Sequence, residues 1–446
     1  MAITRREFIQ GVGAAGLATA VGCAAQRAPK EPALPIPAKP ILVVLFIDGG
    51  NDWLNMMIPM RGGNRSAYEA ARPTLQLLTS QAFDLGEQDA GLNDDLLGIA
   101  DLWSRGRVAL LPGIGMDHPN LSHFEAGDLW GEGREATLLN NTGWLGRYAD
   151  AEAVAGAWDV LSGVSVTGDV PIMFRGADRS FISVSSANGF VYPAGLRSGR
   201  LGSPWDPNLL ETQWSTALAA ASGASAPIDH GYSAAATTGK LFLDAQNRFG
   251  TDGNLTARTP SVLYPGDTGY AYGGTAYPGL TGGLSARFKL IAQMIAAGLD
   301  TRVFFARLGG WDTHSNQLND HPRLQRALGG SIRSFYEDLA TIETADGNAQ
   351  ARTMILAYSE FGRRVPENDG GTDHGTAGLA FCIGRSVTGG MYGDYPDLND
   401  LDGNKNMKFT VDFRSMYATV LDRWLGQPSN ITDQNLGTTY PRLNFL

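Results

Sequence analysis

Cysteine and positive charge are both scarce in this chain of 446 residues. The two cysteines are Cys23, in a small-residue segment near the start, and Cys382, in an apolar run typical of a buried strand. Because Cys23 lies in a segment that is not part of the fold, Cys382 has no internal disulfide partner. No disulfide is therefore expected to stabilise the fold. The 35 basic residues are outnumbered by 45 acidic ones, which gives a formal net charge of -10. This balance argues against nucleic acid or an anionic membrane as a partner, because both require basic patches.

Long hydrophobic runs are also missing, and the apolar part of the N-terminal segment is too short and weak to span a membrane. That segment reads MAITRREFIQGVGAAGLATAVGCAAQ, with a basic start at Arg5-Arg6 followed by a Gly/Ala-rich stretch. The pattern resembles a twin-arginine (Tat) export signal. We therefore expect residues 1–26 to be a Tat signal peptide, the Tat translocase to be a partner during export, and the mature protein to be periplasmic.

The fate of Cys23 has two readings. Ala-Val-Gly-Cys loosely resembles a lipobox, so Cys23 is a candidate lipid anchor that would tether a membrane-bound lipoprotein. The alternative is simple cleavage of the signal. The following residues 27–40 are rich in proline, which predicts an extended linker.

Apolar runs that end in Gly or Asp predict strands buried on both faces. They occur in PILVVLFIDGG, RVALLPGIG, TRVFFARLGG, TMILAYSEFG and LAFCIG. Amphipathic helices alternate with them, such as LSARFKLIAQMIAAGL and LQRALGGSIRSFYEDLATI. The alternation predicts an α/β fold with a mostly parallel sheet over residues 41–446. A stretch at about 190–280 is rich in Gly, Ser and Ala, and we interpret it as an insertion that caps the sheet.

Polar residues cluster where these strands end, which is the edge where open α/β sheets bind ligands. They include four of the six histidines and comprise Asp48, Asp52, His118, Ser122, His123, Asp312, His314, Glu360, Arg363, Asp373 and His374. Each has an ordinary explanation as well: Ser122 suits a helix N-cap with Glu125 as its capping-box partner, and Asp373 suits a turn. His230 and His321 are predicted to lie at the surface. Carboxylates with imidazoles and no thiolate predict a divalent metal site, with zinc or manganese as the ion.

Several motifs extend this picture by resemblance. FIDGGNDWLNMMIP, RPTLQL, LSHFEAGDLWGEG, TGWLGRY, GGWDTHSNQ and SEFGRRVPENDGGTDHG are similar, in order, to segments of the exported domain-of-unknown-function family 1501. That family is grouped with the alkaline-phosphatase-like superfamily. The resemblance covers about residues 41–440 and implies a three-layer α/β/α sandwich with two divalent metals beside a nucleophile.

The resemblance also implies roles for single residues. Asp312, His314 and His374 match expected metal ligands, with Asp373 as an orienting neighbour of His374. Glu360 stands at the end of a strand where the superfamily has Asp-His, so it is a further ligand candidate and Phe361 replaces one imidazole. An acid near the first strand matches Asp52 or Asp48, and we favour Asp52. The nucleophile is expected at Ser122 or His123. No Cys-x-Pro-x-Arg is present, which disfavours sulfatase chemistry based on formylglycine.

Two functions are consistent with these residues. The first is an exported metal-dependent hydrolase of phosphate or sulfate esters, acting on an anionic small molecule or polymer, in which Arg363 helps to neutralise the anionic group. The second is a non-catalytic periplasmic binding or assembly protein on a degenerate version of the same fold. The replacement of an imidazole by Phe361 favours the second, and the retained ligand set favours the first.

Overall fold

The computed structural model describes residues 30–157, 160–184, 258–272, 275–276 and 283–446. The predicted signal peptide, Cys23, His230 and most of the predicted insertion lie outside the described residues. In the part of the chain that is described, no helix is both long and apolar enough to cross a membrane.

The strands, in chain order, are β1 Ile41–Asp48, β2 Met57–Pro59, β3 Ala82–Asp84, β4 Ala90–Asn93, β5 Val108–Gly115, β6 Gly163–Ser165, β7 Ile182–Ser183, β8 Ala271–Tyr272, β9 Thr275–Ala276, β10 Val303–Gly309, β11 Glu343–Thr344, β12 Gly347–Asn348, β13 Thr353–Tyr358, β14 Arg363–Glu367, β15 Thr372–His374, β16 Gly378–Gly384, β17 Gly390–Met391 and β18 Val411–Asp412. The α-helices are α1 Gly62–Ala71, α2 Leu97–Ser104, α3 His123–Glu132, α4 Trp144–Val154, α5 Gly283–Ala296, α6 Gln317–Leu339, α7 Ala349–Arg352, α8 Phe413–Thr419 and α9 Ser429–Leu436.

The main sheet has the strand order β17-β5-β16-β13-β1-β10-β6-β7, with β18 also paired to β5. The five strands predicted from apolar runs are β1, β5, β10, β13 and β16, and most of their residues are buried. Every pairing among the strands of this sheet is parallel except those of β16, which runs antiparallel to both β13 and β5. The prediction of an α/β fold with a mostly parallel sheet is confirmed.

Alternate residues of β1 explain why the sheet is buried on both faces. Ile41, Val43 and Leu45 belong to one hydrophobic core, to which α2, α5 and α6 contribute. Leu42 and Val44 point the other way, into a second core that includes residues of α3, α4 and α8. Each such side chain contributes about 1.5–3 kcal/mol of burial free energy. The molecule is therefore an α/β sandwich with helices on both faces of the sheet.

The reversed strand β16 matters for the position of the candidate site. The ends of β1, β10, β13 and β5 lie at one edge, which we call the carboxyl edge. Because β16 runs the other way, its first residue, Gly378, lies at that same edge, where it is in register with Ile114 near the end of β5. Residues that precede β16 therefore meet residues that follow the other strands.

The described part of the predicted linker is fastened to the fold. Arg107, which is 1% exposed, pairs with Glu31, and the amide of Leu34 donates to the carbonyl of Arg385 at 2.8 Å. Arg107 precedes β5 and Arg385 follows the antiparallel β16, so both lie at the edge opposite the carboxyl edge. We call residues 30–35 the N-terminal strap.

Helix α6 has the predicted apolar stripe, but its first turns differ from expectation. The prediction that His321 lies at the surface is wrong, because this residue is 2% exposed. Its ring nitrogens contact the side chains of Asn51, at 3.1 Å, and Gln325, at 2.7 Å. Burial lowers the pKa of His321 to about 4, so the ring is neutral near pH 7.

Candidate metal site

Three side chains from separate parts of the chain meet at the carboxyl edge. His123 is the first residue of α3, after β5; Asp312 follows β10; and His374 ends β15, just before β16. One ligand atom from each lies within 4.8 Å of the others. This group of His123, Asp312 and His374 is a possible metal-binding set, and we call it the ligand triad.

A backbone carbonyl sets the orientation of His374. Its Nδ1 lies 2.8 Å from the carbonyl oxygen of Leu121, which can only accept, so Nδ1 carries the proton. The lone pair is then on Nε2, which is 3.1 Å from Oδ1 of Asp312. Burial lowers the pKa of His374, which favours the neutral ring. A neutral imidazole with one nitrogen held by a protein acceptor is the form that binds metals.

A buried carboxylate orients His123 in the same way. Its Nδ1 lies 2.7 Å from Oε1 of Glu360, and the hydrogen bond to Glu360 raises the pKa of His123. The other nitrogen, Nε2, is 3.4 Å from Oδ2 of Asp312. Among the described residues, nothing forms a hydrogen bond with this buried Nε2. The atom therefore points into the triad without a hydrogen bond, with Asp312 as its nearest charged neighbour.

Asp312 is held as a carboxylate. Partial burial raises the pKa of Asp312, but the hydrogen bond from Arg363 and the positive charge of its guanidinium outweigh it and lower the pKa to about 2. Oδ1 accepts from Nη2 of Arg363 at 2.7 Å. Oδ2 is the oxygen nearer to His123. Asp312 therefore supplies a negative charge at neutral pH.

His314 and Asp373 lie at the rim of the triad. Nε2 of His314 is 2.9 Å from Nε2 of His374 and 3.0 Å from Oδ1 of Asp312, and His314 is exposed. Nδ1 of His314 is 3.5 Å from Oδ1 of Asp373. Asp373 thus contacts His314 rather than His374, which it had been expected to orient. His314 therefore contacts two members of the triad, His374 and Asp312, from its rim.

Glu360, which was a ligand candidate, lies outside the triad and behind His123. Its side chain is fully buried, and its oxygens accept hydrogen bonds from the amide of Gly49 and the hydroxyl of Ser359, both at 3.0 Å, as well as from His123. A carboxylate with these partners stands behind the ligand His123. Such acidic partners fix the ring orientation and increase the basicity of a ligand.

The expected role of Arg363 is also revised. Its guanidinium is fully buried and donates to the carbonyl oxygens of Gly49, Gly50, Trp311 and Thr372 in addition to Asp312. These bonds engage Nε and both terminal nitrogens, so the group is not presented to an anionic substrate.

Asp52 is not part of the triad. It is fully buried, and its two oxygens accept from Nη1 and Nη2 of Arg72 at 2.6 and 2.8 Å, with Gln317 as a third donor. Burial raises the pKa of Asp52, but Arg72 outweighs it, so the pKa is lowered and the pair is ionic. Asp52 is therefore a structural carboxylate and not the expected ligand. Asp48 ends β1, half exposed, with its carboxylate 3.8 Å from Arg307.

Ser122 occupies the N-cap position of α3, as one of its two interpretations predicts, yet the predicted capping box is absent. Within the described residues, its side chain makes no capping hydrogen bond. Asn120 instead accepts from the amide of Ser122 at 2.8 Å and donates to Glu125. The hydroxyl next to the ligand His123 is thus not used as a cap.

Sequence reasoning missed Arg72 and Leu121 and gave His123 only a nucleophile role. Arg72 is in the quoted motif RPTLQL, but its partner Asp52 is separated from it by 20 residues. The carbonyl of Leu121 carries no side-chain signal. The sequence could have identified His123 as a ligand candidate, since it is one of the strand-end histidines, as are His314 and His374.

The chemistry of the triad fits a divalent ion. Two imidazole nitrogens and one carboxylate form the three-ligand set of catalytic zinc sites, and ligand atoms about 2.1 Å from a tetrahedral ion lie about 3.4 Å apart. Nε2 of His374 lies 3.1 Å from Oδ1 of Asp312, and Nε2 of His123 lies 3.4 Å from Oδ2, so each oxygen has a histidine nitrogen at a separation of that size. The ring of Phe361 packs 4.9 Å from His123 and 4.8 Å from His374, so an apolar wall closes one side.

Fold and site together describe an α/β sandwich with a candidate metal centre at the carboxyl edge of its sheet. Residues 264–442 match the sequence profile of a family described as Protein of unknown function (DUF1501). The match supports the family resemblance over that part of the chain, which contains Asp312, His314, Glu360 and His374. A search of curated proteins finds no match.

Proposed function

We propose that this protein is an exported, metal-dependent hydrolase of phosphate or sulfate esters. The observation that carries the proposal is the ligand triad, in which three ligand atoms from three distant chain segments lie within 4.8 Å of one another. The fold is of the kind in which ligands bind at the carboxyl edge. We place the protein within the alkaline-phosphatase-like superfamily on the resemblance of its motifs.

His123, Asp312 and His374 would hold the ion, with His314 as a fourth ligand at the rim. When bound, a zinc or manganese ion would act as a Lewis acid on the ester oxygen and lower the pKa of a coordinated hydroxyl or water. In the neutral rings, Glu360 and the carbonyl of Leu121 hold the proton on Nδ1 of His123 and of His374, so that each Nε2 would present its lone pair to the ion. The described residues supply one compact ligand set, so the proposal invokes one ion where the superfamily implies two.

Ser122 is the proposed nucleophile. It precedes the ligand His123 directly, and its hydroxyl is not engaged in capping α3. Ser122 does not cap the N-terminus of α3 with its side chain, and a helix N-terminus favours an anionic group beside it. An anionic ester could therefore rest near Ser122 without a contribution from Arg363.

One observation favours the second candidate function, a non-catalytic binding protein. Phe361 occupies the sequence position where the superfamily has an imidazole, and its ring packs against both triad histidines. Arg363, the expected anion-binding side chain, is fully buried. A protein with these features could bind a metal or an ester without cleaving it.

Two substitutions separate these functions. His374→Ala should lose both bound metal and hydrolysis of generic aryl phosphate and sulfate esters, because it removes one of three ligands. Ser122→Ala should keep the metal and lose turnover, because the hydroxyl is the nucleophile and not a ligand. Metal content is measured by elemental analysis and turnover by release of the aryl alcohol.

The matched control for His374→Ala is His118→Asn. His118 is an exposed histidine in the loop that leads to Ser122, and asparagine tolerates its positive φ of 49°. This variant should behave as the wild type. A wild-type protein that binds metal but cleaves no ester would favour the binding protein, and one that binds no divalent ion would refute the metal site.

A further inference from the structure

Arg363 connects the loops that carry two members of the ligand triad. It begins β14, and its backbone lies opposite His374 in the β14–β15 pairing. Its side chain reaches Asp312 and the carbonyl of Trp311, both in the loop after β10. One residue therefore contacts both the strand that ends in His374 and the loop that contains Asp312.

The same guanidinium also binds the loop after β1 and the start of β15. Nη2 lies 2.5 Å from the carbonyl of Gly49, Nε donates to the carbonyl of Gly50, and Nη1 lies 2.7 Å from the carbonyl of Thr372. Gly49 in turn donates its amide to Glu360, the partner of His123. The planar fork of an arginine, with five donors, can satisfy this arrangement, whereas the three donors of a lysine cannot.

Among the described residues, Asp312 is the carboxylate that pairs with the buried guanidinium of Arg363. Nη2 of Arg363 donates to Oδ1 of Asp312, and Oδ2 lies on the side of His123. A buried guanidinium is strongly destabilising without a carboxylate partner, so the pair constrains the rotation of the carboxylate.

From these contacts we propose that Arg363 is the positioning residue of the metal site. It does not ligate the ion, but it fixes the carboxylate of Asp312 in the orientation in which His123, Asp312 and His374 converge. The inference rests on the proposed metal site and extends it to a residue with no ligand atom.

The experiment compares Arg363→Lys with Arg72→Lys. Arg72 is an equally buried arginine with its own aspartate, Asp52, outside the triad, so it controls for the loss of a buried guanidinium. Cobalt(II) alone serves as the probe, because its affinity and its visible absorption report the ligand geometry. Arg363→Lys should weaken cobalt binding about 10- to 100-fold and change the absorption spectrum. Arg72→Lys should lower thermal stability and leave cobalt affinity within about twofold of the wild type.

A second measurement covers the case in which Arg363→Lys does not fold. With ¹⁵N-labelled arginine, the guanidinium resonance of Arg363 in the wild-type protein should shift when zinc is added, while that of Arg72 should not. Wild-type affinity in Arg363→Lys, equal weakening in Arg72→Lys, or an unmoved Arg363 resonance would each overturn the inference while leaving the metal site intact. Failure of the wild type to bind cobalt or zinc would overturn the proposed metal site together with this inference.

Discussion

At the scale of single residues, the contact between Glu360 and His123 bears on whether this acidic side chain would bind a metal itself or hold a metal-binding histidine. A carboxylate at the end of a strand can ligate a metal or can support a ligand. Here the buried carboxylate lies 2.7 Å from Nδ1 of His123 and also accepts from the amide of Gly49, which is the arrangement expected of a group that supports the proposed ligand. Its negative charge makes the ring a better donor to a cation.

Glu360→Gln therefore tests this support. Glutamine retains an oxygen that accepts from His123 but removes the charge, so zinc affinity should fall about 10-fold or more while the protein stays folded. Isothermal titration with zinc measures the affinity. Asp128→Asn, which removes an exposed charge from α3, should bind zinc like the wild type; an unchanged Glu360→Gln would show that the carboxylate does not support the ligand.

His321 makes a prediction about stability and pH. Burial lowers its pKa to about 4 in the folded state, while the unfolded value is near 6.5. Between these values the unfolded state binds more protons, so stability is full above about pH 6.5 and declines as the pH falls toward 4, by up to about 3 kcal/mol.

Urea unfolding of the wild type and of His321→Gln at pH values from 7.5 to 4 measures this effect. Glutamine does not titrate, so the stability advantage of the wild type over the variant should shrink as the pH falls. Parallel stability curves for the two proteins would contradict the assignment of a neutral buried ring.

At the scale of elements, α2 and α6 pack unusually closely through two glycines. A Cβ on Gly98 would overlap the backbone carbonyl of Gly329, because the helices approach through the space that a side chain would fill. Gly98→Ala should destabilise the fold by about 1–3 kcal/mol through overpacking.

Gly127 in α3 provides the matched control. A Cβ there meets no described atom within 4 Å, so Gly127→Ala should be neutral or stabilise by up to about 1 kcal/mol. Chemical denaturation of both variants gives the two free energies of unfolding. A Gly98→Ala protein as stable as the wild type would show that the helices can separate without cost.

The elements also show what sequence patterns can and cannot determine. The strands β1, β5, β10, β13 and β16 were predictable because burial on both faces requires continuous apolar runs. The direction of β16 was not, since an apolar run has the same composition in either orientation. His321 was predictable in principle, because the stripe that includes Leu328 in α6 reaches it seven residues earlier.

The candidate site was predictable in its location and less so in its roles. Position at strand ends identified Asp312, His314 and His374, which do lie together. The roles of Asp52 and Arg363 depend on hydrogen-bond partners from distant parts of the chain, and sequence spacing carries no information about those contacts. An aspartate looks the same in the sequence whether or not a buried arginine pairs with its carboxylate.

At the scale of the whole molecule, export is a prediction that rests on the sequence alone. Replacing Arg5 and Arg6 together by lysine should retain the precursor in the cytoplasm, because the twin-arginine pair is read by the Tat translocase. Cell fractionation and immunoblotting measure the distribution. A periplasmic yield equal to that of the wild type would contradict the Tat assignment, and replacing Lys30 by arginine is the matched control that should export normally.

The N-terminal strap has a consequence for how the protein can be held in an experiment. Lys30 lies beside Gly106 and Gly389, at the opposite end of the sheet from the ligand triad. A support or affinity handle joined just ahead of Lys30 would therefore attach to the back of the molecule. In molecules captured on a sensor surface in this way, the carboxyl edge would point away from the surface and toward the solution. Metal ions and esters in the flowing buffer could then reach the candidate site.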